Sequence, residues 1–210
     1  MINTNPKTNK LIHQISSGSA STAIEAAKAI IEIKTRDFTP QLVAIMNTST
    51  GVHNKEASAF ALSWLDKDNE ALDALINVLT SVDMDESVRG QAAEGISYHK
   101  PRKNHRLRAK VNIAILEGLK DKSPVVRFWS CFAAGHIKLL EALPILEKIK
   151  RSDKSVNPGW WYVSEEAEDA IEWIHGRAGK NRIPLNDRKT LNKLNATEQK
   201  RPHRRGIKLV

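Results

Sequence analysis

Val88-Arg89-Gly90-Gln91-Ala92-Ala93-Glu94-Gly95-Ile96 and Val126-Arg127-Phe128-Trp129-Ser130-Cys131-Phe132-Ala133-Ala134-Gly135 are two copies of one phrase. Each puts Val-Arg ahead of small residues spaced to lie along one helix face. Worn copies stand at Ala57-Ser58-Ala59 with Ala61-Leu62-Ser63, at Ala26-Ala27 with Ala29-Ile30, and at Ala167 with Ala170-Ile171. Anchored at positions 23, 55, 89, 127 and 164, the copies advance by 32, 34, 38 and 37 residues. A period of this length means stacked helix pairs, none able to bury its apolar face alone. The spacing predicts an all-α solenoid of about five helix pairs.

Each unit reads as a helix A carrying the phrase, a turn, and a helix B. Thr22-x-x-Glu25 has the form of a capping box. Ser123-Pro124 and Thr39-Pro40 put an N-cap before a proline at the first helical position. Ser164-Glu165-Glu166 opens the last A helix with a cap and two acids that favour the positive end of the helix dipole. The B helices are expected over 40–47, 70–79, 107–119 and 142–150, where Leu72, Leu75, Ile76 and Leu79 repeat at i, i+3, i+4 and i+7. The reading divides the chain into a polar N-terminal segment at 1–19, the repeat solenoid at 20–175, and a basic C-terminal tail at 176–210.

The charge is unevenly placed. Residues 1–175 hold 22 basic and 22 acidic side chains, whereas residues 176–210 hold 11 basic and two acidic ones, so the tail carries the whole net charge of +9. Poor in large apolar residues, it is expected to be mobile. One cysteine, Cys131, excludes an intramolecular disulfide framework, and no Cys/His spacing suggests a metal site. The N-terminus lacks the apolar core of a secretory signal, and no run is long enough for a membrane span. A cytoplasmic location with no membrane contact is the expectation.

The pattern Asp-x-x-x-Val-Arg-x-x-Ala-Ala at 85–93, and Ser-Pro-Val-Val-Arg-Phe-Trp-Ser-Cys-Phe-Ala-Ala-Gly-His at 123–136, resembles the HEAT-like repeat first recognised in phycobilisome lyase subunits. The following Glu141-Ala142-Leu143-Pro144-Ile145-Leu146 looks like the start of that repeat's second helix. The resemblance covers about 20–175 and is strongest in the third and fourth units. It implies a right-handed superhelix of antiparallel helix pairs, with the B helices on the concave side. It does not imply lyase activity, because many binding proteins share the repeat.

Four groups of residues are candidates for more than packing. Arg89 and Arg127 sit in the first turn of their helices, where a lone cation opposes the dipole. Each is expected to reach a carboxylate of an adjacent repeat, with Asp85 and Asp121 as the candidates. The connection at 98–110 holds six basic residues and no acid. Its Lys100, Arg102, Lys103, Arg106 and Arg108, with Arg201, Arg204 and Arg205 of the tail, form a candidate phosphate or nucleic-acid contact. Trp160-Trp161 follows the breaker Asn157-Pro158-Gly159. Two adjacent indoles cannot share one helix groove, so one is expected to pack inward and the other to meet solvent or a partner. Glu165, Glu166, Glu168 and Asp169 form an acidic cluster best explained by the helix dipole.

These residues give no catalytic, cofactor or metal site. No histidine precedes a glutamate, so the His-Glu pairs of HEAT-type di-iron hydroxylases are missing. Cys131, at a small core position, is expected to be inert. The favoured function is a non-catalytic scaffold or interaction module that binds another protein, with the oligomeric state open. The alternative is nucleic-acid binding through the basic loop and tail. A glycosylase-like or lyase enzyme and a toxin-neutralising immunity protein rank lower.

Overall fold

The computed structural model describes residues 6–65, 68–99 and 106–190. They include ten α-helices: α1 (Pro6–Ser17), α2 (Ala20–Ile33), α3 (Thr39–Thr48), α4 (Val52–Ser63), α5 (Asn69–Thr80), α6 (Glu86–Tyr98), α7 (Arg106–Gly118), α8 (Pro124–His136), α9 (Leu143–Ser152) and α10 (Val163–Ile174), and residues 185–190 are helical as well. Two short 3-10 turns, Arg36–Phe38 and Leu140–Ala142, lead into α3 and α9.

The helices build two rows. Those carrying the repeated phrase (α2, α4, α6, α8 and α10) each pack on the next, and α1, α3, α5 and α7 touch in turn in the second row. Each second-row helix lies mainly against the first-row helix that follows it: α1 on α2, α3 on α4, α5 on α6, α7 on α8, α9 on α10. The packed pair is thus one step out of phase with the A-then-B order read along the chain. The result is an all-α solenoid.

This phase gives the N-terminal segment a structural role. Read as a polar segment outside the repeats, it contains α1, whose Leu11 and Ile15 enter the core. Asn54 Nδ2 on α4 donates to the Ile15 carbonyl at 2.6 Å, tying α1 to the row beyond it. With Ile12 packed beside them, these three apolar residues on one face are enough to dock a helix that is polar elsewhere.

Several caps differ from expectation by a few residues. Ser19, not Thr22, caps α2: its hydroxyl accepts from the Thr22 N–H at 3.3 Å. Helix α3 begins at Thr39, and the Thr39 hydroxyl instead donates to Asp68 Oδ2 at 2.6 Å. Helix α10 begins before Ser164, where Glu165 Oε2 accepts from the Tyr162 N–H at 3.3 Å. Ser123 caps α8 as expected, through the Val125 N–H, while Asp85, expected as an arginine partner, caps α6 through the Ser87 N–H.

The small residues of the phrase set how closely the first-row helices approach. A Cβ added at Gly135 would lie 2.7 Å from the Ala170 Cα and 2.7 Å from Trp173 Cε3. Alanine favours a helix interior over glycine by about 1 kcal/mol. A backbone atom 2.7 Å away cannot step aside, however, and overpacking costs about 1–3 kcal/mol. Gly135→Ala is expected to lower the denaturant midpoint; a raised midpoint would show that α8 and α10 do not meet there.

Residues 177–190 also depart from the expected mobile tail. They run back along α10, from Lys180 beside Asp169 to Leu185, whose N–H donates to the Trp160 carbonyl at 3.1 Å. Arg182 is their anchor, with Nε donating to Asp169 Oδ2 at 2.7 Å, Nη2 to Glu168 Oε2 at 2.7 Å, and Nη1 to Glu165 Oε1 at 3.2 Å. Three carboxylates converging on one guanidinium offset its desolvation. The acidic cluster of the sequence is therefore a receptor for Arg182 as well as a favourable helix start.

Candidate binding face

On each first-row helix the buried positions face the second row and the neighbouring units. On α8 these include Val126, Phe128, Ser130, Cys131, Ala133 and Ala134, leaving Val125, Trp129, Phe132 and His136 on the outer side. The same phase puts Phe60 and Trp64 on the outside of α4, and Gln91, Glu94 and Tyr98 on the outside of α6. The outer side of α2 carries Glu25 and Lys28, which pair with each other.

The outer aromatics touch across repeats. Trp64 stacks on Tyr98 with ring centroids 4.9 Å apart. Tyr98 meets the edges of Phe132 at 6.3 Å and His136 at 5.8 Å. Phe132 contacts Trp129 at 5.7 Å, and Trp129 contacts Trp160 at 5.2 Å. Trp129 also lies on the α6 backbone, since a Cβ at Gly90 would fall 2.9 Å from its Cδ1. One ring-to-ring strip thus runs from α4 to the turn before α10. It remains partly open to solvent: Trp64 is 49% exposed and Trp160 39%.

Glu94 stands within the strip. Its carboxylate accepts from Gln91 Nε2 at 2.9 Å and from the Tyr98 hydroxyl at 3.0 Å, with no basic partner among the described residues. Burial pushes its carboxyl above the usual range, against the lowering effect of those two bonds.

The two indoles of Trp160-Trp161 have different surroundings. The Asn157 carbonyl accepts from the Trp160 N–H at 2.9 Å, with Gly159 at φ +82°, which makes a turn with proline second and glycine third. Beyond this turn Trp160 reaches the outer strip. Trp161 is half-buried, and its Nε1 donates to Glu166 Oε2 at 2.9 Å. Glu166 is 1% exposed, and burial pushes its carboxyl up to about 8. Among the described residues its other oxygen and Asn157 Nδ2 have no hydrogen-bond partner.

Arg89 and Arg127 serve the opposite turns, those entering the first-row helices. Arg89 is 4% exposed; its Nη2 donates to Asp121 and its Nε to the Leu79 carbonyl at 3.1 Å. Burial pushes the Asp121 carboxyl up, but Arg89 and the Ser123 N–H outweigh it and hold the group below its ordinary value. Arg127 donates to Asp153 Oδ2 at 2.7 Å, to the Asp121 and Lys122 carbonyls at 2.7 and 2.9 Å, and to Ser155 Oγ at 2.9 Å. Each arginine reaches a carboxylate about one repeat ahead in the chain, whereas Asp85 is occupied as the α6 cap.

Of the basic candidates, Arg106 is exposed at the start of α7 and Arg108 is half-buried. Lys100, Arg102, Lys103, Arg201, Arg204 and Arg205 lie outside the described residues. Among the described residues no three His, Cys, Asp or Glu side chains group as metal ligands. Nor is any described helix long and apolar enough to cross a membrane.

A family model described as HEAT repeats matches residues 8–97 and 72–157. The chain belongs to the HEAT-repeat family. Among solved structures, this HEAT solenoid is similar to the complex of CpcE and CpcF of phycocyanin lyase from Nostoc sp. PCC7120. The likeness has a TM-score of 0.60 at 19% identity, covering 70% of this chain and 91% of that one. At that identity the likeness is one of fold. No curated protein matches the sequence.

The aromatic strip was the part of this HEAT solenoid that single-residue reading missed. The signal was present: Trp64, Tyr98 and His136 stand one repeat step apart, and Phe132 lies one helical turn before His136 on the same face. Side chains one period apart lie side by side in a solenoid.

Proposed function

We propose that the chain is a non-catalytic interaction solenoid that receives another protein on the outer aromatic strip. The observation that carries this reading is the continuity of half-exposed rings from Trp64 to Trp160 across successive repeats. Scattered surface aromatics need no explanation, but contiguous apolar patches on soluble proteins mark interaction sites. Tryptophan and tyrosine dominate the energetics of such sites because they bury large area with little rotamer entropy. The similar solved chain also comes from a complex between two proteins, CpcE and CpcF.

Chemistry finds little purchase in the same residues. Cys131 is wholly buried, and burial pushes its thiol well up, away from the reactive thiolate. Glu166 is buried and holds the Trp161 indole N–H. Trp160, not Trp161, is the indole placed to act as an anchor, since Trp161 is engaged inward.

The test uses the full chain as bait, beside Trp64→Ser and Trp160→Ser variants checked for an unchanged melting curve. Each substitution is expected to weaken capture of the same protein partner by about tenfold or more, the scale of an interface hot spot. Unchanged capture by both variants would remove the strip from the interface. Tight, salt-sensitive binding of an oligonucleotide in place of a protein would remove the reading itself.

A further inference from the structure

We propose that the outer aromatic strip is also a docking site for the chain's own C-terminal residues 191–210, whose arginines lie over its rings and pair with Glu94. The contact is intramolecular and its test needs no partner, so it stands or falls apart from the protein-binding reading.

Charge selects the occupant. The acids at the near end of the strip are already matched: Glu165 with Arg182 and Arg188, Glu168 with Lys180 and Arg182, Glu172 with Arg177. Glu94 has only neutral partners, Gln91 and Tyr98, among the described residues. A half-buried carboxylate beside aromatic rings is the setting in which a guanidinium gains twice. It forms a charge-assisted hydrogen bond and lies on ring faces whose quadrupole attracts it. Residues 191–210 carry Lys193, Lys200, Arg201, Arg204, Arg205 and Lys208 against one acid, Glu198.

Position and length agree with this. The described chain ends at residue 190 beside the strip's own end, because the Leu185 N–H holds the Trp160 carbonyl and Arg188 Nη1 holds Glu165 at 2.9 Å. Packed helices stand about 8–10 Å apart, so the three steps from α10 through α8 and α6 to α4 span roughly 27 Å. The eleven residues from Thr190 to Arg201 reach up to about 36 Å when extended. Arg201, Arg204 and Arg205 therefore all lie within reach of Glu94 and Trp64. A tethered segment of this kind has an effective concentration in the millimolar range, enough for weak individual contacts to be occupied.

The experiment places a nitroxide at Gly206→Cys in the full, isotopically labelled chain. The wholly buried Cys131 leaves the new thiol as the reactive one. Broadening of the Trp64 and Trp129 indole N–H signals and of Tyr98 is expected, relieved on reducing the label. Changing Arg201, Arg204 and Arg205 together to Gln should lower the docked-to-free ratio about tenfold, the sum of exposed cation–ring contacts. Glu94→Gln should lower it severalfold, and added salt should act in the same direction. No broadening, or broadening unaffected by the triple change, overturns the proposal. So does broadening that appears only between labelled and unlabelled chains on mixing, which would make a second copy the occupant.

Discussion

Arg89→Met is expected to lower the unfolding free energy by about 3–5 kcal/mol, the scale on which a buried ion pair loses one partner. The guanidinium neutralises Asp121 and satisfies the Leu79 carbonyl from a position that is 4% exposed. Methionine fills similar volume but leaves both acceptors with less than they had. In a chain of this size the melting temperature should fall by about 10 °C. Asp121→Asn in the same background is expected to recover only part of the loss. The Asp121 carboxylate also accepts from the Ser123 N–H at 2.9 Å, and the Leu79 carbonyl stays without its donor. A thermal scan of the three chains decides it, and a shift within about 1 kcal/mol for Arg89→Met, as for an exposed pair, would show the bridge to be solvated.

Glu166→Gln is expected to make the chain more stable than its parent, increasingly so as pH rises. The Glu166 carboxyl is pushed up to about 8 by burial, with the Trp161 N–H acting the other way, Asp169 adding to the rise and Arg182 opposing it. The unfolded chain binds that proton only below about 4.3. Its contribution to stability is therefore fully present below the unfolded value and is lost as pH climbs toward 8. An amide accepts from the Trp161 indole without this cost. The difference between variant and parent should be small near pH 4 and reach about 2–4 kcal/mol at pH 8. Urea denaturation across that range measures it, and titrating groups that are not coupled to Glu166 cancel in the difference. Parallel curves would mean that Glu166 stays ionised, with solvent or a cation at its free oxygen.

Much of the architecture was legible because solenoid packing is periodic in the sequence. The Val-Arg phrase announced the first-row helices, and its glycines and alanines announced close approach. Gly135 against Ala170 is that approach. The arginines in the first turns were legible as members of inter-repeat pairs, because a cation at the positive end of a helix needs a carboxylate. What the phrase did not carry was phase. Helix α1 looked like a polar segment outside the repeats because its few apolar residues have meaning only against α2 and α4. Arg182 looked like one more charge in a basic tail, since the carboxylates that order it come from three positions of α10.

Local sequence carried the class of fold, the repeat length and the small-residue seam, all of which follow from periodicity and from the volume a close helix approach allows. Tertiary structure alone decided which indole of Trp160-Trp161 faces outward and where the basic segment begins to pack. It also decided that rings from separate repeats form one strip. Those outcomes depend on the rotation of each helix about its axis and on which helix it packs against. Both are set by the summed burial of the whole stack, a quantity no single repeat contains.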